Sequence, residues 1–420
     1  MEATPYWIIL LIAVILLART AAILAKRLNL PGVSIQILIG ILLGPSVFNL
    51  LGVPIVLGTW GSPSSGPLHS VLKILAEIGL IQLMFLAGLK VDWHELKKVI
   101  KFSFSIGAWG FVMTAVSVAI FTRLFVDRWA EALAMSAVVS VVSFGISVYY
   151  FSEIKLLGSP AAAIVSGAAI SSGLLAILLM IASQATNYGA TYGAFKMAIA
   201  LSWFLAKLVM FFAIAYFLTS RFLSLSAKTS FKKRPRQVLI GYLLLVASLY
   251  AWAAMHFGSF AAVGTASLGG GLLEALNPKA GEKVAKGFES ILASIPIGIL
   301  FIVIGMEVNL RVVEEAVIFL VVLLAAVIGA KLTGCWIATK KEYESSRNWV
   351  LIMFGVLAQG EMGILIAAYL FSRGVLNPQY FSITIFVAVV LTMVSPILMR
   401  IASKQLTKEE LLASIFNRPP

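Results

Sequence analysis

The chain has 420 residues, 60% of them apolar and 12% charged, against roughly 25% charged in an average soluble domain. With a mean hydropathy of +1.00, so few charges cannot coat a water-soluble surface, which excludes a soluble multidomain protein and implies an all-α polytopic membrane protein. The net charge of +14 would suggest nucleic-acid binding in a soluble protein; in a membrane chain it reads instead as basic loops on the cytoplasmic face, and no nucleic-acid partner is expected.

A spanning helix needs about 20 apolar residues. Thirteen stretches qualify, at about 6–25, 32–51, 71–91, 100–124, 129–153, 159–184, 193–219, 236–254, 258–274, 286–308, 314–338, 346–372 and 380–404. The first is read as an uncleaved span, because Glu2 rather than a basic region precedes it and no small-residue cleavage site follows. The fifth carries Ser140, Ser143, Gly145 and Ser147 in SVVSFGIS, a polar interruption. The ninth contains Gly269, Gly270 and Gly271, which suit close helix packing rather than phosphate binding. The twelfth holds Gly355, Gly360 and Gly363 around Glu361, enough glycine to weaken a helix at its middle. Residues 406–420 are expected to form a short cytoplasmic tail with no nucleotide-binding domain, and no cofactor is expected.

Alternate loops differ sharply in charge. Lys26, Arg27, Lys90, Lys97, Lys98, Lys101 and Lys155 fall on one side, joined by six basic residues from Arg221 to Arg236, Lys279, Lys283, Lys286, Lys340, Lys341, Arg347 and the four of the C-terminal end; these are 23 of the 32 basic residues. The other side carries five: Arg123, Arg128, Lys196, Arg311 and Arg373. The richer set is therefore cytoplasmic, which places the N-terminus outside and the C-terminus inside.

Four basic residues remain inside spans, where ionisable groups are costly and are functional candidates by default. Arg19 snorkels to the interface and Lys73 lies near a span end, so both read as structural. Lys207 is deeper and is a secondary candidate. Lys331, between Gly329 and Gly334, is deep and flanked by small residues that let other backbones come close. Among acids, Glu361 lies mid-span and Glu77 a third of the way into span three, while Glu289 and Glu307 are expected at the interface. The two aspartates, Asp92 and Asp127, both face loops. Spans five and twelve are the two interrupted segments, and paired interruptions mark transporter sites built from broken helices.

Enzyme readings find no support. His69, His94 and His256 are far apart without HExxH spacing, Cys335 stands alone, and no serine has the His partner an intramembrane protease needs.

Taken together these residues resemble the CPA2 family of monovalent cation:proton antiporters. Leu30-Pro-Gly-Val-Ser-Ile-Gln-Ile-Leu-Ile-Gly-Ile-Leu-Leu-Gly-Pro-Ser46 is similar to the family's opening Gly-rich pattern, with Ile37 at one usual glycine. Ala76-Glu77-Ile-Gly-Leu through Phe85-Leu-Ala-Gly-Leu-Lys-Val-Asp92, Ile304-Gly-Met-Glu-Val-Asn309 and Gly360-Glu361 complete the set. The resemblance implies an inverted-repeat antiporter fold in which discontinuous spans five and twelve cross. It implies a transport core of about spans 3–6 and 10–13 beside a dimerisation bundle of about spans 1–2 and 7–9, all within residues 1–405, working by elevator-type alternating access. It also implies a homodimer, in contact with membrane lipid, that exchanges sodium or potassium for protons, and the lack of eukaryotic targeting signals points to a prokaryotic cytoplasmic membrane.

The family's ion chemistry rests on an Asp pair, or Asn-Asp, in span six facing a Lys or Arg in span eleven. Lys331 matches the basic position, but Ser171 and Ser172 stand where the carboxylates are expected. Val142-Ser143 replaces a common Thr-Ser, and Gln359 a frequent Arg. The resulting candidate site is Lys331, Glu361, Ser171, Ser172, Ser143, Gln359 and Glu77, with Ser140, Ser147 and Lys207 as secondary members and no metal beyond a monovalent cation. Because a hydroxyl coordinates but does not titrate, three accounts stand open. Glu361 or Glu77 supplies charge while Lys331 carries the proton; or helix N-termini and Lys331 favour an anion or organic acid; or coupled transport is lost, leaving a sensor, a channel-like pathway or a silent subunit. The orientation itself is open to test: a reporter enzyme active only inside the cell should be active when inserted at 228–236 and inactive near Arg311, and the reverse pattern would overturn the assignment.

Overall fold

The computed structural model describes residues 6–28, 32–45, 47–49, 67–90, 93–193, 294–308, 316–339 and 348–405, with isolated positions at 195, 198, 199, 202, 203, 206, 210 and 310. All regular structure among these residues is helical: α1 Tyr6–Leu28, α2 Gly32–Leu43, α3 Pro67–Lys90, α4 Trp93–Arg123, α5 Trp129–Ser140, α6 Phe144–Glu153, α7 Pro160–Tyr192, α8 Ser294–Met306, α9 Val317–Thr339, α10 Asn348–Gly355, α11 Glu361–Ser372 and α12 Pro378–Gln405. Six stretches of the described residues are long and apolar enough to cross a membrane, and one of them, Trp129–Glu153, takes in both α5 and α6. Lys207, Glu289, the basic run at 228–236, the three glycines at 269–271, spans eight and nine and the tail at 406–420 lie outside the described residues.

Local sequence sets the helix ends. Ser159 caps α7 by accepting the Ala162 N–H at 3.2 Å, with Pro160 in the first helical position. Asn377 caps α12 through the Tyr380 N–H at 2.8 Å, again just ahead of a proline. At the far end of α11, Gly374 takes φ 66° and lets the Val375 N–H reach back to Leu370 O at 3.0 Å.

The chain divides into two compact units, Met1–Leu89 with Ala215–Glu315 and Lys90–Ile214 with Ala316–Pro420. In the first unit, α2 packs on α1 and α8. The α2–α8 crossing is a glycine contact from both sides: a Cβ on Gly40 would lie 2.0 Å from Ile302 O, and one on Gly305 would lie 2.2 Å from Ile37 O. Backbones meet there with no side chain between them. Lys73 lies within electrostatic range of Glu77 and Glu307, both in this unit. Glu307, expected at the interface, is buried.

In the second unit, α4 packs against α7 on one side and α9 on the other. Ile100, Phe104, Val112, Val116 and Ile120 of α4, with Ile318, Val321 and Val322 of α9, form an exposed apolar face of the kind that faces lipid. The α5–α6 stretch occupies the centre, 89% of its apolar window being buried, with α4, α7, α11 and α12 around α5. Spans five and twelve are both broken: Val141, Val142 and Ser143 interrupt the first, and residues 356–360 the second. Burying backbone at these breaks is possible only because the surrounding helices supply hydrogen-bonding partners.

Gly40→Leu should lower the melting temperature of the detergent-solubilised protein, the overpacked crossing costing about 1–3 kcal/mol. Gly158→Ala, where an added Cβ meets nothing within 4 Å, should leave it unchanged. Differential scanning fluorimetry of the two variants measures both.

Candidate functional site

The two breaks pass each other as short extended segments. The Ser143 N–H donates to Ala358 O at 2.8 Å, satisfying a carbonyl beyond the end of α10. The Gln359 Nε2 amide donates to Val139 O, a carbonyl in the last turn of α5. Gly360 makes the turn into α11 with φ 73° and ψ −133°, a conformation that strains any residue bearing a Cβ, and a Cβ here would also come 2.1 Å from Ile146 Cδ1. The glycine before Glu361 is therefore a backbone requirement of the crossing.

Charge is placed at the ends of the half-helices. Ser143 caps α6, its hydroxyl oxygen accepting the Ile146 N–H at 3.1 Å and its proton going to Glu361 Oε2. The other carboxylate oxygen, Glu361 Oε1, accepts the Gly145 N–H at 3.0 Å. Glu361 also occupies the first turn of its own helix, α11. One buried carboxylate thus serves the positive ends of two half-helices, each contact being of the charge-assisted kind worth roughly 1.5–3 kcal/mol. At the opposite polarity, Lys331 of α9, 1% exposed, donates from Nζ to Val141 O at 2.8 Å, just beyond the C-terminus of α5. Among the described residues no carboxylate lies within ion-pair reach of Lys331.

The neighbouring serines face different elements. Ser172 Oγ accepts the Val142 N–H at 3.0 Å and donates to Ala169 O at 3.1 Å. Ser171 Oγ donates to Ala168 O at 3.0 Å, and a Cβ on Gly107 of α4 would lie 2.0 Å from it. Both are fully buried. Ser147 Oγ donates to Ser143 O at 2.6 Å. Ser140 Oγ and Gln359 Oε1 are buried without a hydrogen-bond partner among the described residues.

The structure therefore gathers Lys331, Glu361, Ser143, Gln359 and Ser172 around one crossing, with Ser140 and Ser147 in the turns on either side of the first break. Ser171 sits one residue away with its hydroxyl turned towards α4. Glu77 belongs to the first unit. Sequence reasoning missed the Val141 and Ala358 carbonyls and the Gly145 N–H, since an inventory of side chains holds no backbone groups. It also missed Ser395, whose hydroxyl donates to Phe354 O of α10 at 2.6 Å. Among the described residues no group of three or more His, Cys, Asp or Glu forms a metal site.

Residues 12–402 match the family described as sodium/hydrogen exchanger, transmembrane. A Na(+)/H(+) antiporter of Enterococcus hirae is 22% identical over 396 residues, covering 94% of this chain and 98% of that protein. The Na(+)/H(+)-K(+) antiporter GerN of Bacillus cereus is 23% identical over 386 residues, covering 92% and 93%. The solved structure of the sodium proton antiporter MjNhaP1 from Methanocaldococcus jannaschii matches with a TM-score of 0.64 at 15% identity, over 98% of this chain and 99% of that one; the fold is shared.

Ser143→Ala removes both the α6 cap and a donor to Glu361, so it should destabilise the detergent-solubilised protein by about 1–3 kcal/mol. Ser147→Ala, losing one hydroxyl-to-carbonyl bond, should cost less than about 1 kcal/mol. Thermal unfolding of the two variants side by side gives the comparison.

Proposed function

The chain belongs to the sodium/hydrogen exchanger family, and from that membership we propose that it is an integral membrane, secondary-active antiporter exchanging sodium or potassium for protons. The observation that carries the reading is the Lys331 ammonium, buried and held on the carbonyl of a broken helix, 2.8 Å from Val141 O. A half-helix C-terminus favours a single positive charge. Lys331 supplies that charge when protonated, and an alkali cation supplies it when Lys331 has released its proton. The oxygens for such a cation are Val141 O, Val139 O and two buried oxygens at the crossing without a hydrogen-bond partner among the described residues, Ser140 Oγ and Gln359 Oε1. Glu361, engaged by Ser143 and Gly145, holds the crossing together and is not the charge that changes.

The remaining parts of the proposal follow from the same membership. The core of about spans 3–6 and 10–13, which contains the crossing, is the carrying body, and the bundle of about spans 1–2 and 7–9 is the scaffold through which a homodimer forms in a prokaryotic cytoplasmic membrane. Alternating access is elevator-like, through thirteen spans with the N-terminus outside. Lys331 with Ser172 and the break oxygens forms the exchange site; Ser171 packs beside it, and Glu77 and Lys207 lie on the pathway outside it. No cofactor takes part.

A second reading is favoured by one observation: no carboxylate faces Lys331 among the described residues. A cationic pocket of that kind suits an anion, or a family member without coupled transport.

Proteoliposomes carrying an imposed pH gradient decide between them. Antiport predicts that sodium or potassium collapses the gradient, that Lys331→Ala lowers the rate at least ~100-fold, and that an imposed membrane potential has little effect, because one charge replaces one charge. If no monovalent cation dissipates the gradient, the antiport reading is wrong. Stabilisation of the protein by anions, lost in Lys331→Ala, would then establish the second reading.

A further inference from the structure

We propose that Ser172 is a positioning residue: it orients the Val141–Val142 peptide so that the Val141 carbonyl faces Lys331, and it acts on the exchange through that peptide rather than as an ion ligand. The inference rests on the reading of Lys331 as the exchanging charge and assigns Ser172 a different role from the hydroxyl ligand that sequence suggests.

The described chain has no cis peptide bonds, so the Val141 C=O and the Val142 N–H point in opposite directions from one planar unit. Lys331 Nζ grips the carbonyl side at 2.8 Å, and Ser172 Oγ grips the amide side at 3.0 Å. The two side chains thus hold opposite ends of a single peptide. The Ser172 proton continues to Ala169 O at 3.1 Å. Every bond in this series donates the same way, from Lys331 through the peptide and Ser172 to the backbone of α7. Bonds in series polarise one another, so the Ser172 acceptor makes the Val141 carbonyl a stronger partner for a positive charge.

Among the described residues no other group does this work. Val142 has left α5, and it is 4% exposed; without Ser172 its N–H is a buried donor with no acceptor, a loss of about 1–3 kcal/mol. The next peptide is held separately, by Ser143 N–H on Ala358 O. Ser171 takes no part, since its hydroxyl bonds Ala168 O and lies against Gly107 of α4. Charged and titratable groups on the helices packed around α9 stand near the ends of those helices: His94, Glu95, Lys97, Lys98, Lys101 and Arg123 on α4, Glu131 on α5, and Tyr380, Arg400 and Lys404 on α12. Within α9 itself, Cys335 is one turn from Lys331 and is buried. α10 carries none.

Two measurements on the purified full-length protein test the inference. In proteoliposomes, Ser172→Ala should move the pH of half-maximal cation-driven proton release to lower pH by about one unit, tenfold in proton concentration, and Ser172→Thr, which keeps the hydroxyl, should restore it. A merely structural role would lower the rate at every pH and leave the midpoint in place. In detergent, the melting temperature followed against pH should show an inflection that Lys331→Gln removes, Ser172→Ala displaces and Ser171→Ala leaves where it is. If Ser172→Ala does not survive purification, Ser172→Cys, of similar shape but a weaker acceptor, is measured instead. A midpoint unmoved by substitution at 172, or moved equally at 171, overturns the proposal. If the wild type shows no cation-driven proton release while the melting inflection still follows residue 172, the antiport reading fails and the positioning role stands.

Discussion

Backbone amides and carbonyls buried in an apolar medium must be hydrogen-bonded, and the second unit depends on meeting that requirement at two helix breaks. Interrupting spans five and twelve frees N–H and C=O groups that α5, α6, α10 and α11 would have paired as continuous helices. The breaks satisfy one another first, Ser143 N–H on Ala358 O, and side chains complete the pairing: Gln359 on Val139 O, Ser172 on the Val142 N–H, Lys331 on Val141 O, Glu361 on the Gly145 N–H. The polar residues of this region are the complement of a backbone that has left its helices.

That complement also explains why the two buried charges do not pair. Glu361 lies where half-helices begin and Lys331 where one ends. Each is attracted to helix dipole and backbone groups of opposite polarity. A carboxylate bonded to the α6 cap and the Gly145 N–H has its best acceptor directions occupied, so joining Lys331 would orphan the start of α6. Separation of the charges therefore follows from the same bonding that holds the crossing, and it leaves the ammonium on a neutral carbonyl.

The sequence disclosed much of this through its periodicity and punctuation. The apolar runs marked the helices that the structure describes, the serines of 140–147 marked the first break, and three glycines around Glu361 marked the second. Lys331 stood out as a deep cation among small residues. Pairwise geometry was not legible. Ser171 and Ser172 are adjacent and chemically identical, yet one lies against Gly107 and the other bonds Val142, because residues next to each other on a helix point about 100° apart and only the packing of α4 and α5 tells which direction matters. Glu361 read as a charge supplied to the ion site because its donors, a backbone N–H and a capping serine over two hundred residues away in sequence, belong to a helix start that no local pattern places beside it. Glu307 read as interfacial from its position near a span end, whereas the backbone contact of α2 and α8 brings it into the interior of its unit.

A serine where a carboxylate is expected changes how charge is counted at such a site. A carboxylate facing an ammonium gives two titrating groups, each of which alters the proton affinity of the other. A peptide carbonyl facing the ammonium gives one, since the carbonyl carries only a partial charge and takes up no proton under physiological conditions. The electrostatic work a carboxylate would do is then divided between the end of α5 and the hydroxyl of Ser172, neither of which can be switched off by protonation. In the proposed exchange, the positive charge that the end of α5 favours comes from Lys331 or from an ion in its place. On the proposed positioning role of Ser172, the strength with which the carbonyl binds either one depends on how the peptide is held, and control of the site then lies in the packing of α7 against the break.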